Sequence, residues 1–117
     1  MAYISGFMTP VPSDRKQDYL DMATKAVEVF KDHGATRVVE TWGDEVPEGK
    51  LTSMPMAVQA KETETVVFSW VWWPDKQTQL EGMKKVMDDP RMDFDPDTMP
   101  FDMKRMIFGG FEVILDA

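Results

Sequence analysis

Few residues here have usable chemistry, and their types narrow it at once. His33 is the only histidine in 117 residues, and cysteine is absent. Without a thiol there is no cysteine nucleophile, no disulfide framework and no Cys-ligated zinc or iron–sulfur centre. A single imidazole excludes a multi-histidine metal site within one chain, so neither metal nor cofactor is expected. His33 alone has an unperturbed titration near neutrality. At the end of an apolar helical stripe it reads first as a structural group favoured by the helix dipole, and second as a proton donor or acceptor at the mouth of a helix–sheet cleft. Trp42, Trp70, Trp72 and Trp73 offer flat apolar surface for an organic ligand, with Arg37, Glu40 or Arg105 as its polar anchor. In a binding reading Trp42, Trp72 and Arg37 are ligand contacts alone. Strand tryptophans are more commonly core or interface, and the eleven methionines suit adaptable packing without marking a site.

Two loops resemble ion sites and fail on chemistry. Gly43-Asp44-Glu45-Val46-Pro47-Glu48-Gly49-Lys50 has the outline of a phosphate loop. Its glycines are one residue too far apart, Leu51 stands where Ser or Thr must hold magnesium, and three acids would repel phosphate. Asp93, Asp95 and Asp97 alternate as in a calcium loop, but Pro96 intervenes, Thr98 replaces the turn glycine and Lys104 replaces the closing glutamate. These read as an acidic turn and a solvated acidic loop.

Charge and length bound the partners. A net charge of −8 repels polyanions, and Lys84-Lys85 and Lys104-Arg105 have acids beside them, so no nucleic-acid partner is expected. No apolar run approaches the ~20 residues of a membrane span, and Met1 to Gly6 does not resemble a signal peptide. The absence of asparagine excludes N-glycosylation. With 43% apolar residues the chain can build a core, and its length suits a single domain over 1–117 in the cytoplasm.

These side chains must be held by a short series of elements. Tyr3 to Thr9 reads as a strand closed by Pro10-Val11-Pro12. Ser13 is placed to cap a helix whose stripe runs Tyr19, Met22, Ala23, Ala26, Val29, Phe30 and His33, stopped by Gly34. Strands follow at Thr36–Trp42 and Thr65–Trp73, with Lys50–Gln59 ambiguous between them. Asp75 caps a helix over Lys76–Met87, which Gly82 weakens by ~1 kcal/mol relative to Ala. Residues 88–102 form a loop, and Arg105–Leu115 is the last strand. The order β-α-β-β-α-β predicts an α+β ferredoxin-like sandwich, a four-stranded antiparallel sheet with two helices on one face.

The strand faces add a partner. One face of the third strand carries Val66, Phe68, Trp70 and Trp72, and the other carries Val67, Ser69, Val71 and Trp73. A half-solvated antiparallel strand alternates apolar and polar residues, and this one does not. Two helices cover one face, so the other predicts a second copy of the chain, packed sheet to sheet as a homodimer, with cover by the Lys50–Lys61 segment and the acidic loop as the alternative.

A family resemblance points the same way. Gly6-Phe7 with Pro10-Val11-Pro12, the Gly43–Lys50 turn, Thr65–Trp70, Val86–Met92 and Met99–Val113 resemble, in order and over nearly the whole chain, the bacterial YbaA-like family, domain-of-unknown-function family 1428. The resemblance implies a dimeric α+β barrel and no particular activity. The wider superfamily includes cofactor-free monooxygenases, heme-degrading enzymes and ligand-binding regulators, which is analogy of fold alone. The resulting expectation is a homodimer that binds a small apolar or aromatic molecule between helices and sheet. A cofactor-independent monooxygenase, in which Trp42 or Trp72 would hold the ring, Arg105 would stabilise an enolate-like oxyanion and His33 would shuttle the proton, and a ligand-free assembly protein stand as the alternatives that the resemblance implies.

Overall fold

The structure is a computed structural model that describes residues 1–117. The strands are β1 Tyr3–Pro12, β2 Arg37–Glu40, β3 Glu64–Trp73 and β4 Ile107–Glu112, and the helices are α1 Lys16–Asp32, α2 Met54–Ala57 and α3 Lys76–Asp88. All neighbouring strands are antiparallel in the order β2-β3-β1-β4. This is the α+β, ferredoxin-like arrangement that the element order predicts.

Several boundaries differ from the sequence expectation, each for a local reason. β1 runs on through Pro10 and Pro12, paired with Val66 and Glu64 of β3. The β1–β4 register ends at Met8 opposite Ile107. Alternation along β1 turns the nitrogens of Pro10 and Pro12 to the side where β4 has already stopped, so no ladder donor is lost. Ser13 does not cap α1. A 3-10 turn over Ser13–Arg15 precedes the helix, and the Ser13 hydroxyl bonds the Thr65 hydroxyl at 2.7 Å. The regular part of β2 is shorter than Thr36–Trp42, although Thr41 and Gly43 still donate their N–H groups to Phe68 and Val66. Arg105 belongs to a turn, and β4 begins at Ile107 and ends at Glu112. The ambiguous Lys50–Gln59 stretch holds the single turn α2, where Ser53 accepts from the Met56 N–H at 3.1 Å and Pro55 sits in the first turn. As expected, Asp75 caps α3, accepting from the Thr78 N–H at 2.7 Å, and Gly34 ends α1's turn at a φ of 110°.

α1 and α3 lie on one face of the sheet. Strand alternation and register assign Tyr3, Ser5, Phe7, Thr9 and Val11 of β1 to that face, with Val67, Ser69, Val71 and Trp73 of β3. The core forms two packed groups there. Val11, Tyr19, Ala23 and Val67 make one, and Ala35, Val71 and Trp73 the other. Trp73 is fully buried, packs edge-on against Phe30, and donates its indole N–H to Ser5 Oγ at 3.0 Å. Gly82 lets α3 approach closely: a Cβ there would meet the Trp73 ring and lie 2.5 Å from the His33 carbonyl oxygen.

The opposite face carries Ile4 and Met8 of β1, Phe68, Trp70 and Trp72 of β3, and Ile107 and Phe111 of β4. Phe68, Ile107 and Phe111 are 41%, 43% and 59% exposed. Only the Val66–Pro10 end is buried. No helix is long and apolar enough to cross a membrane.

Candidate functional site

The helix face does not close completely. A cavity of about 880 Å³ lies between α1, α3, the sheet and the segment that links α3 to β4. Its floor follows one cross-strand row, Glu40 of β2, Ser69 of β3, Phe7 of β1 and Phe108 of β4, each the register partner of the next. Three strand spacings separate the ends of that row, roughly 14 Å. Phe7 and Phe108 lie with ring centroids 6.4 Å apart. Tyr19, Met22, Ala26 and Phe30 of α1 and Met83 and Met87 of α3 form the roof. Met92, Phe94, Met99 and Phe101 of the linking segment form a wall. Arg15 holds that wall in place, donating to the carbonyls of Met99 at 3.0 Å and Thr98 at 3.2 Å. The large apolar side chains that remain exposed, Leu80, Met87, Met103 and Phe108, mark the mouth, with Lys84 and Asp88 beside them.

Polar groups are sparse in this lining: Tyr19, Glu40 and Ser69 gather at the β2 end, while Gln79, Lys84 and Asp88 come from α3. The Tyr19 hydroxyl donates to Glu40 Oε1 at 2.6 Å, and Ser69 lies beside both. Glu40 is on the sheet edge, so the residue keeps solvent access, while protein crowds its carboxylate. That desolvation raises its pKa above the ordinary 4.5, against the opposing pull of the Tyr19 and Ser69 hydroxyls. Tyr19 is pushed far above the ordinary phenol value, first by burial and then by the neighbouring Glu40 charge. A second polar point, Ser5, is already engaged, accepting from Trp73 and from Gln79 Nε2 at 3.3 Å.

None of His33, Arg105, Trp42, Trp72 and Arg37 lines this cavity. His33 Nε2 lies 2.9 Å from Asp89 Oδ2. Asp89 is also held by Arg91, which reaches Asp32 at 2.8 Å, so the cluster ties the end of α1 to the start of the linking segment. The Asp89 carboxyl is depressed far below the usual carboxylate range, most by Arg91 and then by His33. Arg105 makes a two-pronged contact with Glu64 at 2.6 and 2.7 Å and also donates to the Gln59 carbonyl and Asp102. Trp42 packs against the Val11–Tyr19 group with Lys16 5.6 Å from its ring. Trp72 and Arg37 are brought together, directly opposite across β3 and β2, but on the open face. Glu40, read from sequence as an anchor, does line the cavity. Tyr19 and Ser69 were hidden in sequence because one lies on an apolar stripe and the other on an apolar strand. The available signal was three small hydroxyl residues, Ser5, Thr9 and Ser69, on strand positions that face helices.

Residues 2–103 match the family described as "Protein of unknown function (DUF1428)". The chain belongs to this family. Consistent with that, it is 51% identical over 116 residues to "Uncharacterized protein YbaA" of Escherichia coli K12, covering 99% of each chain. The YbaA of Shigella flexneri aligns with the same identity and coverage. Among solved structures, an "uncharacterized NIPSNAP domain protein from Burkholderia xenovorans" superimposes with a TM-score of 0.59 over 95% of this chain and 93% of that one. At 12% identity that likeness concerns the fold, which this DUF1428 member shares over nearly its whole length.

Proposed function

We propose that the protein is a binding module for a small, largely apolar molecule held between helices and sheet. The observation that carries this reading is the 880 Å³ cavity, whose lining includes seven of the chain's eleven methionines: Met22, Met83 and Met87, then Met92, Met99, Met103 and Met106. A volume of roughly 300–1,000 Å³ with few convergent polar groups is the usual description of a ligand site. Thioether side chains adapt to the shape of an occupant at little cost. Nile red, a neutral apolar fluorophore, should bind at one per chain with a large gain in emission. Ala26→Trp, which puts an indole into the cavity from α1, should reduce that gain at least tenfold. Emission unchanged by Ala26→Trp would place the dye elsewhere and end this reading.

The homodimer belongs to the same proposal. The open face presents Phe68, Trp70, Trp72, Ile107 and Phe111 on one side of the sheet, with Phe68, Ile107 and Phe111 exposed and no helix over them, the kind of apolar face that marks an interaction surface. A second copy packed face to face covers it and makes the closed barrel. Phe68→Glu places a charge in the middle of that surface without touching the helix side. Light scattering should report twice 13.4 kDa for the native chain and 13.4 kDa for the variant. A native chain that stays monomeric at high concentration would refute the dimer.

A further inference from the structure

Resting on the cavity reading, we infer that its occupant is an elongated apolar molecule with a neutral hydroxyl head, seated on Glu40 and Ser69 with its body against Phe7 and Phe108. The floor row sets the length, because it runs from a polar end at β2 to an aromatic pair at the mouth. The chemistry of the head follows from which hydrogen-bonding capacity is still free. Tyr19 spends its one O–H on Glu40 Oε1, so the Glu40–Tyr19 pair has no proton left to offer a ligand. What it presents is acceptor capacity, the second carboxylate oxygen of Glu40 and the lone pairs of the phenol. A ligand hydroxyl can donate to these, and Ser69, whose proton is drawn toward Glu40, adds only lone pairs to the same acceptor set. A carboxylate head is excluded, because it would place two anions together where crowding by protein weakens solvation. Asp88 at the mouth and the net charge of −8 add to that discrimination, with Lys84 as the one cation in the lining. An ether of the same shape loses the donated bond and leaves Glu40 partly unpaired, a loss of about tenfold in affinity.

Three probes of one shape separate these effects: 4-phenylphenol, its methyl ether and biphenyl-4-carboxylate, titrated calorimetrically against the full chain at neutral pH. 4-Phenylphenol should bind at least tenfold more tightly than the ether and more tightly still than the carboxylate. Glu40→Gln keeps an acceptor for Tyr19 and turns a donating amide into the cavity. It should lower the preference for phenol over carboxylate by at least tenfold, while Ala26→Trp weakens all three probes together. If phenol and ether bind alike, or if Glu40→Gln leaves the phenol-to-carboxylate ratio unchanged, the head-group assignment is wrong and the cavity reading stands. If no probe binds the native chain, both fall.

Discussion

Gly82→Ala is expected to destabilise the fold by about 2 kcal/mol, although alanine is the better helix former by ~1 kcal/mol. The reason is geometric. A methyl group on residue 82 collides with the fully buried Trp73 ring and lies 2.5 Å from the backbone oxygen of His33. Neither can step aside cheaply. Trp73 is pinned by its bond to Ser5 and its edge contact with Phe30, and the His33 carbonyl is part of the end of α1. Overpacking of this kind costs about 1–3 kcal/mol and sometimes more, so the helix-propensity gain is outweighed. Chemical denaturation of native and variant chains measures the difference. A variant as stable as the native chain, or more stable, would show that α3 can lift away from Trp73 freely.

The second large effect is expected at Arg105. Its guanidinium grips both oxygens of Glu64, whose side chain is only 6% exposed, at 2.6 and 2.7 Å. It also draws in the Gln59 carbonyl and Asp102, joining the start of β3, the loop before it and the turn ahead of β4. Arg105→Ala leaves the enclosed Glu64 with only the Lys61 N–H, at 2.8 Å, and no opposite charge in contact, and a loss of about 2–3 kcal/mol follows. The pH dependence supplies a sharper check. The hydrogen bonds from Arg105 are the main cause of a Glu64 pKa below the ordinary 4.5. A carboxyl that is more acidic when folded stabilises the fold above its unfolded value and loses that contribution as pH falls through its folded value. Native stability should therefore decline in acid below about pH 4.5, with Asp89 and Asp102, both depressed as well, adding to the slope. Arg105→Ala should flatten the Glu64 part of that decline, so the two stability curves converge toward low pH. Curves that remain parallel would mean that Arg105 acts by packing alone.

Much of the architecture was legible because its determinants are local. The stripe from Tyr19 to Phe30, the glycine stop at Gly34 and the Asp75 cap need no knowledge of the rest of the chain. The two apolar faces of Val66–Trp73 likewise pointed to a sheet that its own helices cannot cover twice. What escaped depended on tertiary placement. Pro10 and Pro12 stay within β1 because β4 stops early, which the β1 sequence alone does not reveal. Gly82 looks like a weak point in a helix until Trp73 is seen beneath it.

The candidate site shows the same division. The type of Arg105 or His33 signals chemistry, but carboxylates far away in sequence, Glu64 and Asp89, hold those groups outside the cavity. Tyr19 and Ser69 gave no such signal, since a hydroxyl on an apolar stripe or strand matters only once register sets it beside Glu40. Trp72 has the flat ring that an aromatic ligand needs, but strand alternation places it on the face of the sheet away from the cavity.

The thioether-rich lining carries a liability of its own. Met87 and Met103 are 72% and 56% exposed at the cavity mouth, where peroxide or hypochlorite reaches them first. Each sulfoxide formed would exchange a pliable greasy surface for a strong fixed dipole. Oxidative stress would thus coarsen the entrance before it harmed the framework, and repair by sulfoxide reductases would restore it.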